Sequence, residues 1–373
     1  MKKFIPVNKP LITKADVTSV YKVLNSGWIS SEGTNVKRFE NKFANFIGHK
    51  YSVAVSSGTA ALEIAVKSLN LKKNDEIIIP NFTIISNALA VIKSGLKIKL
   101  IDCDLKNWNM NIGKVEKAIT SNTKAIIVTH IYNFPFRIDL LKKICHKKNI
   151  LLIEDAAEAL GQKIYKKNCG SFGDISTFSF YANKQITTGE GGMITTNNKK
   201  IYQKMLSLRN LAFGKKDRFN HDDIGWNYRM TNMQATLGIS QLSRIKNIVK
   251  NRHAVGLQYY NKLKDNENLY IPEPKKKFAK NIYWVIGVLI MNKKIKLDAK
   301  KVMDKLKKLG IGTRPFFWPM HKQKILKNLK LQNSKKFINS EYISKYGFYL
   351  PSSLSLKKSE IDFICKKVNL ILK

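Results

Sequence analysis

Cysteine is scarce in this chain of 373 residues: there are four, far apart, and no C-x-x-C pair. This spacing excludes a disulfide framework and a cysteine-based zinc site, so we expect a cytoplasmic protein without a bound metal. Long apolar runs are also missing. The longest covers residues 282–291, about half of the ~20 residues that cross a bilayer. The first lysines lack the apolar core of a signal peptide, and we expect no membrane partner.

Acidic residues are few. Asp and Glu number 26 against 67 Lys and Arg, which gives a formal net charge of +41, and only eight of the basic residues are arginine. Such a charge suits a nucleic-acid-binding protein, which we keep as the alternative from a different functional class. The lysines, however, are scattered along the whole chain with no aromatic-interleaved stripe and no basic tail. We therefore predict a solvated lysine-rich surface, no nucleic-acid partner, and a field that favours an anionic small substrate.

The chain is longer than one compact core usually holds, which predicts two domains. Short apolar runs alternate with helical periodicity in the first two-thirds, a pattern typical of a mostly parallel sheet covered by helices. After a long helix predicted over residues 230–251 the pattern changes to a lone strand over 283–291 and a lysine-rich helix over 298–309. We place the boundary between residues 245 and 246, giving a large domain over 1–245 and a small α+β domain over 246–373. The predicted strands of the large domain are 51–55, 76–80, 98–102, 125–130, 150–155, 175–181 and 192–196.

A turn of small residues follows the first predicted strand. Its sequence, SSGTAAL over residues 56–62, places Gly58 and Thr59 where the chain opens into a helix. Small side chains there let backbone N–H groups approach a phosphate at the positive end of the helix dipole. Taken alone the turn is weak evidence, because any strand-to-helix connection can use serine and glycine.

Two charged residues stand at the ends of predicted strands. Asp155 closes the run 150–155, at the sheet edge where open α/β folds bind ligands. A carboxylate buried there costs free energy unless a cation, such as a protonated ring nitrogen, pairs with it. Lys184 follows the run 175–181 and precedes a glycine-rich turn, a setting in which a partly desolvated lysine can form a Schiff base. The alternative for Asp155 is a helix cap. In a chain so rich in lysine, Lys184 by itself means nothing, and only its place between a strand and a glycine-rich turn singles it out.

Two further segments carry groups suited to an anion. GWNYRMTN, residues 225–232, places Asn227 and Arg229 just before the predicted long helix, where Arg229 is either an anion ligand or a salt-bridge partner. TRPFFWPMH, residues 313–321, holds Arg314, Phe317 and His321 in a loop with proline on both sides. Arginine can bind phosphate through two parallel hydrogen bonds. We favour a substrate-facing loop over one that only packs the domains together.

In combination these segments resemble the DegT/DnrJ/EryC1/StrS family of sugar aminotransferases, from the first helix through TRPFFWPMH. The resemblance implies the aspartate-aminotransferase fold (fold type I) and the cofactor pyridoxal 5′-phosphate (PLP). That fold is α/β, with a mostly parallel seven-stranded sheet in the large domain and a smaller C-terminal α+β domain. The resemblance also implies a homodimer with shared active sites.

The resemblance further implies a role for each matching residue. Lys184 would bind PLP covalently and then move protons, Asp155 would pair with the pyridinium nitrogen, and Glu158 would lie near the ring hydroxyl. The cofactor phosphate would be held by Gly58, Thr59 and Ser179, and by Asn227 from the other subunit.

The chain departs from the family's pattern at two places. Ile84 stands where some relatives stack an aromatic residue on the cofactor, so either Phe82 or Ile84 must cover the ring. Asn133 stands where relatives often have glycine, a change that would alter the sugar pocket and leave the cofactor chemistry as it is.

The implied reaction transfers an amino group from L-glutamate to C4 of a nucleotide-linked 4-keto-6-deoxyhexose. GDP-4-keto-6-deoxymannose is the favoured substrate, for a surface glycan of the O-antigen type, and a UDP- or dTDP-linked sugar is the alternative. Family members with histidine in place of Lys184 are dehydratases, so the lysine favours amino transfer. The residues expected to bind the sugar nucleotide are Arg229, Arg314, Phe317 and His321.

Overall fold

A seven-stranded sheet forms the centre of the larger part of the molecule. It is seen in a computed structural model that describes residues 4–214, 217, 219–291, 296–329 and 336–373. A two-stranded hairpin, β6 (Lys163–Ile164) and β7 (Lys167–Asn168), leaves the sheet near its middle. The strands of the sheet are β1 (Tyr51–Val55), β2 (Glu76–Pro80), β3 (Lys97–Ile101), β4 (Thr123–Thr129), β5 (Leu151–Asp155), β8 (Ile175–Ser179) and β9 (Gly192–Thr196).

The sheet order is β1-β9-β8-β5-β4-β2-β3. Strand β9 runs antiparallel to both of its neighbours, and the remaining pairs are parallel. These strands are apolar along most of their length because helices cover both faces of the sheet. Since β4, β5 and β8 are parallel, their carboxyl ends meet at one edge, and this edge carries the candidate site.

Nine helices accompany this sheet within the described residues. Helix α1 begins with a capping box, in which the Asp16 carboxylate accepts a hydrogen bond from the Thr13 backbone N–H at 2.8 Å. The prediction of one long helix over 230–251 is wrong: the chain breaks at Arg244, which lies between α8 (Asn232–Ser243) and α9 (Ile245–Leu263). The helices are α1 (Lys14–Ser26), α2 (Thr34–Ile47), α3 (Gly58–Ser68), α4 (Ser86–Lys93), α5 (Ile112–Ala118), α6 (Ile138–Lys147), α7 (Lys199–Arg209), α8 (Asn232–Ser243) and α9 (Ile245–Leu263).

A second, antiparallel sheet contains, in spatial order, β10 (Leu269–Tyr270), β13 (Ile286–Ile290), β15 (Gly347–Leu350) and β14 (Arg314–Pro315). The strand predicted over 283–291 is shorter, β13, and is not alone, because it pairs with β10 on one side and β15 on the other. The short partners lack any periodicity that would reveal them in the sequence. The elements of this part are β10 (Leu269–Tyr270), the hairpin β11 (Lys275–Lys276) and β12 (Ala279–Lys280), β13 (Ile286–Ile290), α10 (Ala299–Lys308), β14 (Arg314–Pro315), α11 (Lys324–Asn328), α12 (Ile338–Tyr346), β15 (Gly347–Leu350) and α13 (Lys358–Ile371).

Residues near the start of the chain join this second part. The Ile5 backbone donates a hydrogen bond to the Gly310 carbonyl and accepts one from the Gly312 N–H, both at 2.8 Å. Ile5 is buried in the same apolar cluster as β13. The boundary predicted between residues 245 and 246 stays a prediction. Among the described residues, no helix is both long and apolar enough to cross a membrane.

Candidate active site

A cavity of about 370 Å³ opens at the carboxyl edge of the parallel strands. Strand ends, the start of α3 and the aromatic-proline loop all contribute to its wall. Of the residues predicted from the sequence, those that line it are Gly58, Thr59, Ile84, Asp155, Glu158, Ser179, Lys184 and Phe317.

The carboxylate of Asp155 ends β5 and is 1% exposed. It accepts hydrogen bonds from the Asn87 side-chain amide at 3.1 Å, the Ala157 backbone N–H at 3.2 Å and the Thr129 hydroxyl at 3.4 Å. Burial raises its pKa above the ordinary aspartate value, even though the hydrogen bonds from Asn87 and Ala157 and the charge of Lys184 act in the opposite direction. A buried carboxylate of this kind is stabilised when a cation enters the cavity.

Lys184 lies in the loop after β8, and its side chain is 12% exposed. Its Nζ is 3.9 Å from the Glu158 carboxylate, and burial lowers its pKa below the ordinary lysine value. Burial also raises the pKa of Glu158 to about 7, although that carboxylate accepts a 2.6 Å hydrogen bond from the Tyr132 N–H. The site therefore holds an amine whose proton is easier to remove than that of a surface lysine.

The first turn of α3 faces the same cavity. Ser57 caps the helix by accepting a hydrogen bond from the Ala60 N–H at 3.1 Å, and a helix start leaves N–H groups such as those of Gly58 and Thr59 free for an anion. A Cβ on Gly58 would lie 2.8 Å from the Cβ of Ser179, so only glycine lets α3 approach β8 this closely. The geometry favours a phosphate between α3 and the end of β8.

The matching family model is that of the DegT/DnrJ/EryC1/StrS aminotransferase family, over residues 10–369. The chain belongs to this family. GDP-perosamine synthase of Escherichia coli O157:H7 is 35% identical to it over 369 residues, 98% of each chain. The enzyme of the same name from Vibrio cholerae is 33% identical over 97% of each chain.

Solved structures agree with this family assignment. Helicobacter pylori PseC, an aminotransferase involved in the biosynthesis of pseudoaminic acid, superposes with a TM-score of 0.93 at 26% identity and 99% coverage of each chain. Escherichia coli GDP-4-keto-6-deoxy-D-mannose-3-dehydratase with bound hydrated PLP superposes with a TM-score of 0.89 at 27% identity and 100% coverage of each chain. The predicted family, fold type I, aminotransferase class and PLP cofactor are confirmed. The residue roles stay predictions.

Four predicted residues of this aminotransferase lie outside the cavity lining. Asn227 is exposed and bridges to Asn210, and Arg229 donates a hydrogen bond to the Asn210 side chain at 2.5 Å. His321 is hydrogen-bonded to Asn81 and Glu341. Arg314 lines an adjoining cavity of about 290 Å³.

The two residues that could cover the cofactor ring, Phe82 and Ile84, differ in their exposure to the cavity. Phe82 is fully buried and packs at 6.1 Å, measured between ring centroids, from Tyr132. Ile84 is 44% exposed and lines the cavity. Of the two, Ile84 is therefore the one placed to meet a bound ring.

Sequence reasoning missed several residues of the site. Thr129 and Asn87 hold Asp155, Tyr132 supports Glu158, and Trp284 lies over Lys184. Thr129 was detectable as a polar residue ending an apolar strand. Trp284 gave no signal, because it reaches Lys184 from a segment about 100 residues further along the chain.

Several of the lysines line a second cavity, away from this site. A cavity of about 810 Å³ lies between the β6–β7 hairpin, α9 and the β11–β12 hairpin, and no carboxylate is among the described residues that line it. None of the predicted site residues lines it either. Its basic side chains are Lys163, Lys246, Lys250, Lys275, Lys276, Lys277, Lys280 and His253.

Proposed function

We propose that this sugar aminotransferase moves the amino group of L-glutamate to C4 of GDP-4-keto-6-deoxymannose, giving GDP-perosamine for a surface glycan. The observation that carries the proposal is the shared cavity of the Lys184 amine and the Asp155 carboxylate. The chain that holds them is 35% identical to a GDP-perosamine synthase over almost its full length.

The residues of the cavity fit PLP. Asp155 offers a buried carboxylate to the ring nitrogen, and the start of α3 with Ser179 offers N–H and hydroxyl groups to the phosphate. Glu158 lies on the Lys184 side of the cavity, where it would face the ring hydroxyl. When bound, the cofactor supplies an electron sink for breaking the C–H bond of the amino donor.

Lys184 and Asp155 have different roles in the proton transfer. Lys184 would take the proton from the amino-bearing carbon of the donor and deliver it to C4′ of the cofactor, across the transferred nitrogen, so its amine must be neutral at one stage and charged at another. Its lowered pKa suits that alternation. Asp155 stays ionised opposite the ring nitrogen and keeps positive charge there.

The adjoining cavity supports a place for the nucleotide part of the substrate. It shares Tyr181, Asn183 and Tyr349 with the main cavity, and Arg314 lies in its wall. A guanidinium group there is suited to a diphosphate. Phe317 would contact the sugar from the main cavity. His321 and Arg229 would act indirectly, from outside the cavity lining, since their side chains are hydrogen-bonded to other residues.

A second subunit completes the proposed site. Asn227 is exposed in a loop in which Ile224 is 75% exposed, and an asparagine amide can donate to a phosphate oxygen without adding charge. We assign this loop to the cofactor phosphate of the partner subunit.

Helix α1 supplies an apolar surface for such a dimer. Its exposed side chains recur at helical spacing, and exposed apolar patches of this kind mark interfaces. They are Val17 at 60%, Tyr21 at 60% and Leu24 at 51% exposure, and Trp28, two residues beyond the end of α1, is 65% exposed.

The test is a substrate panel. Purified protein with PLP and glutamate is given GDP-, UDP- and dTDP-4-keto-6-deoxy sugars, and the products are identified by mass spectrometry and NMR. We expect the highest kcat/KM with the GDP sugar, an amine at C4, and no turnover in Lys184→Ala. A higher kcat/KM with a UDP or dTDP sugar would replace the proposed substrate, and loss of water without amine formation would indicate a dehydratase.

A further inference from the structure

The indole ring of Trp284 covers the reactive nitrogen of the site. The Nζ of Lys184 lies 3.9 Å from the centroid of that ring, well inside the range in which an aromatic face attracts a cation. Trp284 is 4% exposed and lines the main cavity. Its ring is therefore in contact with the atom that would carry the cofactor.

Two hydrogen bonds fix the position of this ring. The indole N–H donates to the carbonyl of Asn183 at 2.8 Å, directly beside Lys184 in the chain. The carbonyl of Trp284 accepts a hydrogen bond from the Arg252 guanidinium at 2.9 Å. The tryptophan is thus tied at its ring to the lysine loop and at its backbone to α9.

Arg252 joins the two residues of this contact. Arg252 is 5% exposed, and besides the carbonyl of Trp284 its guanidinium donates to the carbonyl of Lys184 at 3.4 Å. Both of its described partners are carbonyl oxygens, and its Nε, buried as well, has no described partner. Burial lowers the pKa of Arg252 to about 10. A buried guanidinium with no carboxylate partner costs free energy, and here it holds two backbone segments of the site together.

Several groups act on the charge of Lys184 from the surrounding elements. Glu158 at 3.9 Å and Asp155 at the end of β5 favour the ammonium form. Desolvation disfavours the ammonium form, and the positive charge of Arg252 would act in the same direction. Tyr132 and Tyr349 line the same cavity, and burial raises the pKa of both hydroxyls, so both are neutral at neutral pH. A stacked indole adds an attraction for the cation that does not itself titrate.

We propose that Trp284 is a further catalytic residue, whose indole face stabilises the Lys184 nitrogen while it is cationic, and that Arg252 is the positioning residue that keeps this face in place. The role of Lys184 in amino transfer rests on the proposed function. The contact between Lys184 and Trp284 does not, because it lies within the chain itself.

The experiment measures the pKa of the Lys184 amine in the full-length protein freed of cofactor. Trace acetylation across a pH series, followed by mass spectrometry of the peptide that contains Lys184, reads this amine separately from the other lysines. In Trp284→Leu we expect the pKa to fall by about 1, the worth of a partly desolvated cation–π contact. Trp284→Phe, which keeps an aromatic face, should fall between leucine and the parent. Trp318→Leu is the matched control, since Trp318 is exposed and does not line this cavity.

Arg252 is tested by the same measurement in combined variants. In an Arg252→Met background, Trp284→Leu should shift the pKa of Lys184 by less than half as much as in the parent, because the ring is no longer held. If Arg252→Met does not fold, Arg252→Lys serves, since an ammonium group cannot reproduce the fork that meets two carbonyls. A full-sized shift in that background would overturn the positioning role.

Other results decide the main proposal. The same pKa in Trp284→Leu as in the parent, or a higher one, would overturn the role of Trp284 and leave the amino-transfer assignment intact. In the holoenzyme, kcat of Trp284→Leu should fall about 10-fold, with the KM of both substrates changed less than 3-fold. A parent enzyme that transfers no amino group would overturn the proposed function and leave the pKa comparison standing.

Discussion

At the scale of single residues, the cofactor-binding role proposed for Asp155 comes with a cost to folding. Its carboxylate is buried beside neutral donors, and burial raises its pKa. Asp155→Asn removes the buried charge, so the cofactor-free variant should be no less stable than the parent. Turnover should fall about 100-fold or more, because a hydrogen bond to a charged group contributes up to about 3 kcal/mol.

Thermal unfolding with and without PLP, together with steady-state kinetics, checks both parts of this expectation. A variant that keeps the parent's kcat would show that Asp155 acts only as a cap for the turn at Ala157, from whose N–H it accepts a hydrogen bond.

Glu158 predicts a pH dependence of stability. Burial raises its pKa to about 7 in the folded protein, against about 4.3 in an unfolded chain. Between these values the folded state binds more protons, so the stability that Glu158 contributes is present at low pH and is lost as the pH rises through about 7. Glu158→Gln does not titrate.

The Tm of Glu158→Gln relative to the parent should therefore increase from about pH 5 to about pH 8, measured by calorimetry without cofactor. Glu116→Gln, at an exposed position on α5, is the control and should show no such trend. A constant difference across the range would contradict the raised pKa of Glu158.

At the scale of elements, the approach of α3 to β8 depends on Gly58. A Cβ there would lie 2.8 Å from that of Ser179, whereas a Cβ on Gly113 in the first turn of α5 would meet its nearest atom at 3.5 Å, an ordinary contact. Gly58→Ala should destabilise the protein by about 1–3 kcal/mol, as overpacking does, and weaken PLP binding because the N–H groups of α3 move. Gly113→Ala should be neutral or stabilising by up to about 1 kcal/mol.

Denaturant unfolding and PLP titration of the two alanine variants make the comparison. Equal behaviour of Gly58→Ala and Gly113→Ala would mean that the close approach of α3 to β8 does not matter for the cofactor.

The sequence predicts where the strands lie along the chain better than it predicts which elements pack against one another. The strands YSVAV, EIIIP and GMITT have the predicted bounds, because uninterrupted apolar runs between turn residues leave little freedom in where a strand lies. The order of strands in the sheet and the break at Arg244 come from tertiary packing, which no local pattern encodes. The same holds for the site: Asp155 and Lys184 follow strands and were predictable, whereas Arg252 and Trp284 join it through backbone carbonyls far apart in sequence.

At the scale of the whole molecule, the proposed sharing of the site between two subunits predicts complementation between them. Asn227→Ala should bind PLP more weakly, by about 10-fold, the worth of one hydrogen bond to a charged group. Lys184→Ala should be inactive with its Asn227 intact. In a mixed dimer of the two variants, one site has both defects and the other has neither.

Activity should therefore reappear when the two inactive or weakened proteins are mixed under conditions of subunit exchange and limiting PLP. Light scattering verifies the dimer, and a mixture of tagged and untagged parent verifies the exchange. A mixture that exchanges subunits and stays inactive, or an active monomer, would contradict the assignment of Asn227 to the partner's phosphate.

The backbone pairing of Ile5 with residues 310–312 has a consequence for biosynthesis. During translation, Ile5 leaves the ribosome roughly 300 residues before the segment that it pairs with, whereas all seven strands of the central sheet are complete by Thr196. Closing so long a loop costs only slightly more entropy than closing a short one, but contacts of high sequence separation form slowly. The nascent chain thus carries the segment around Ile5 unpaired until residues 310–312 have been made, long after the strands of the central sheet are complete.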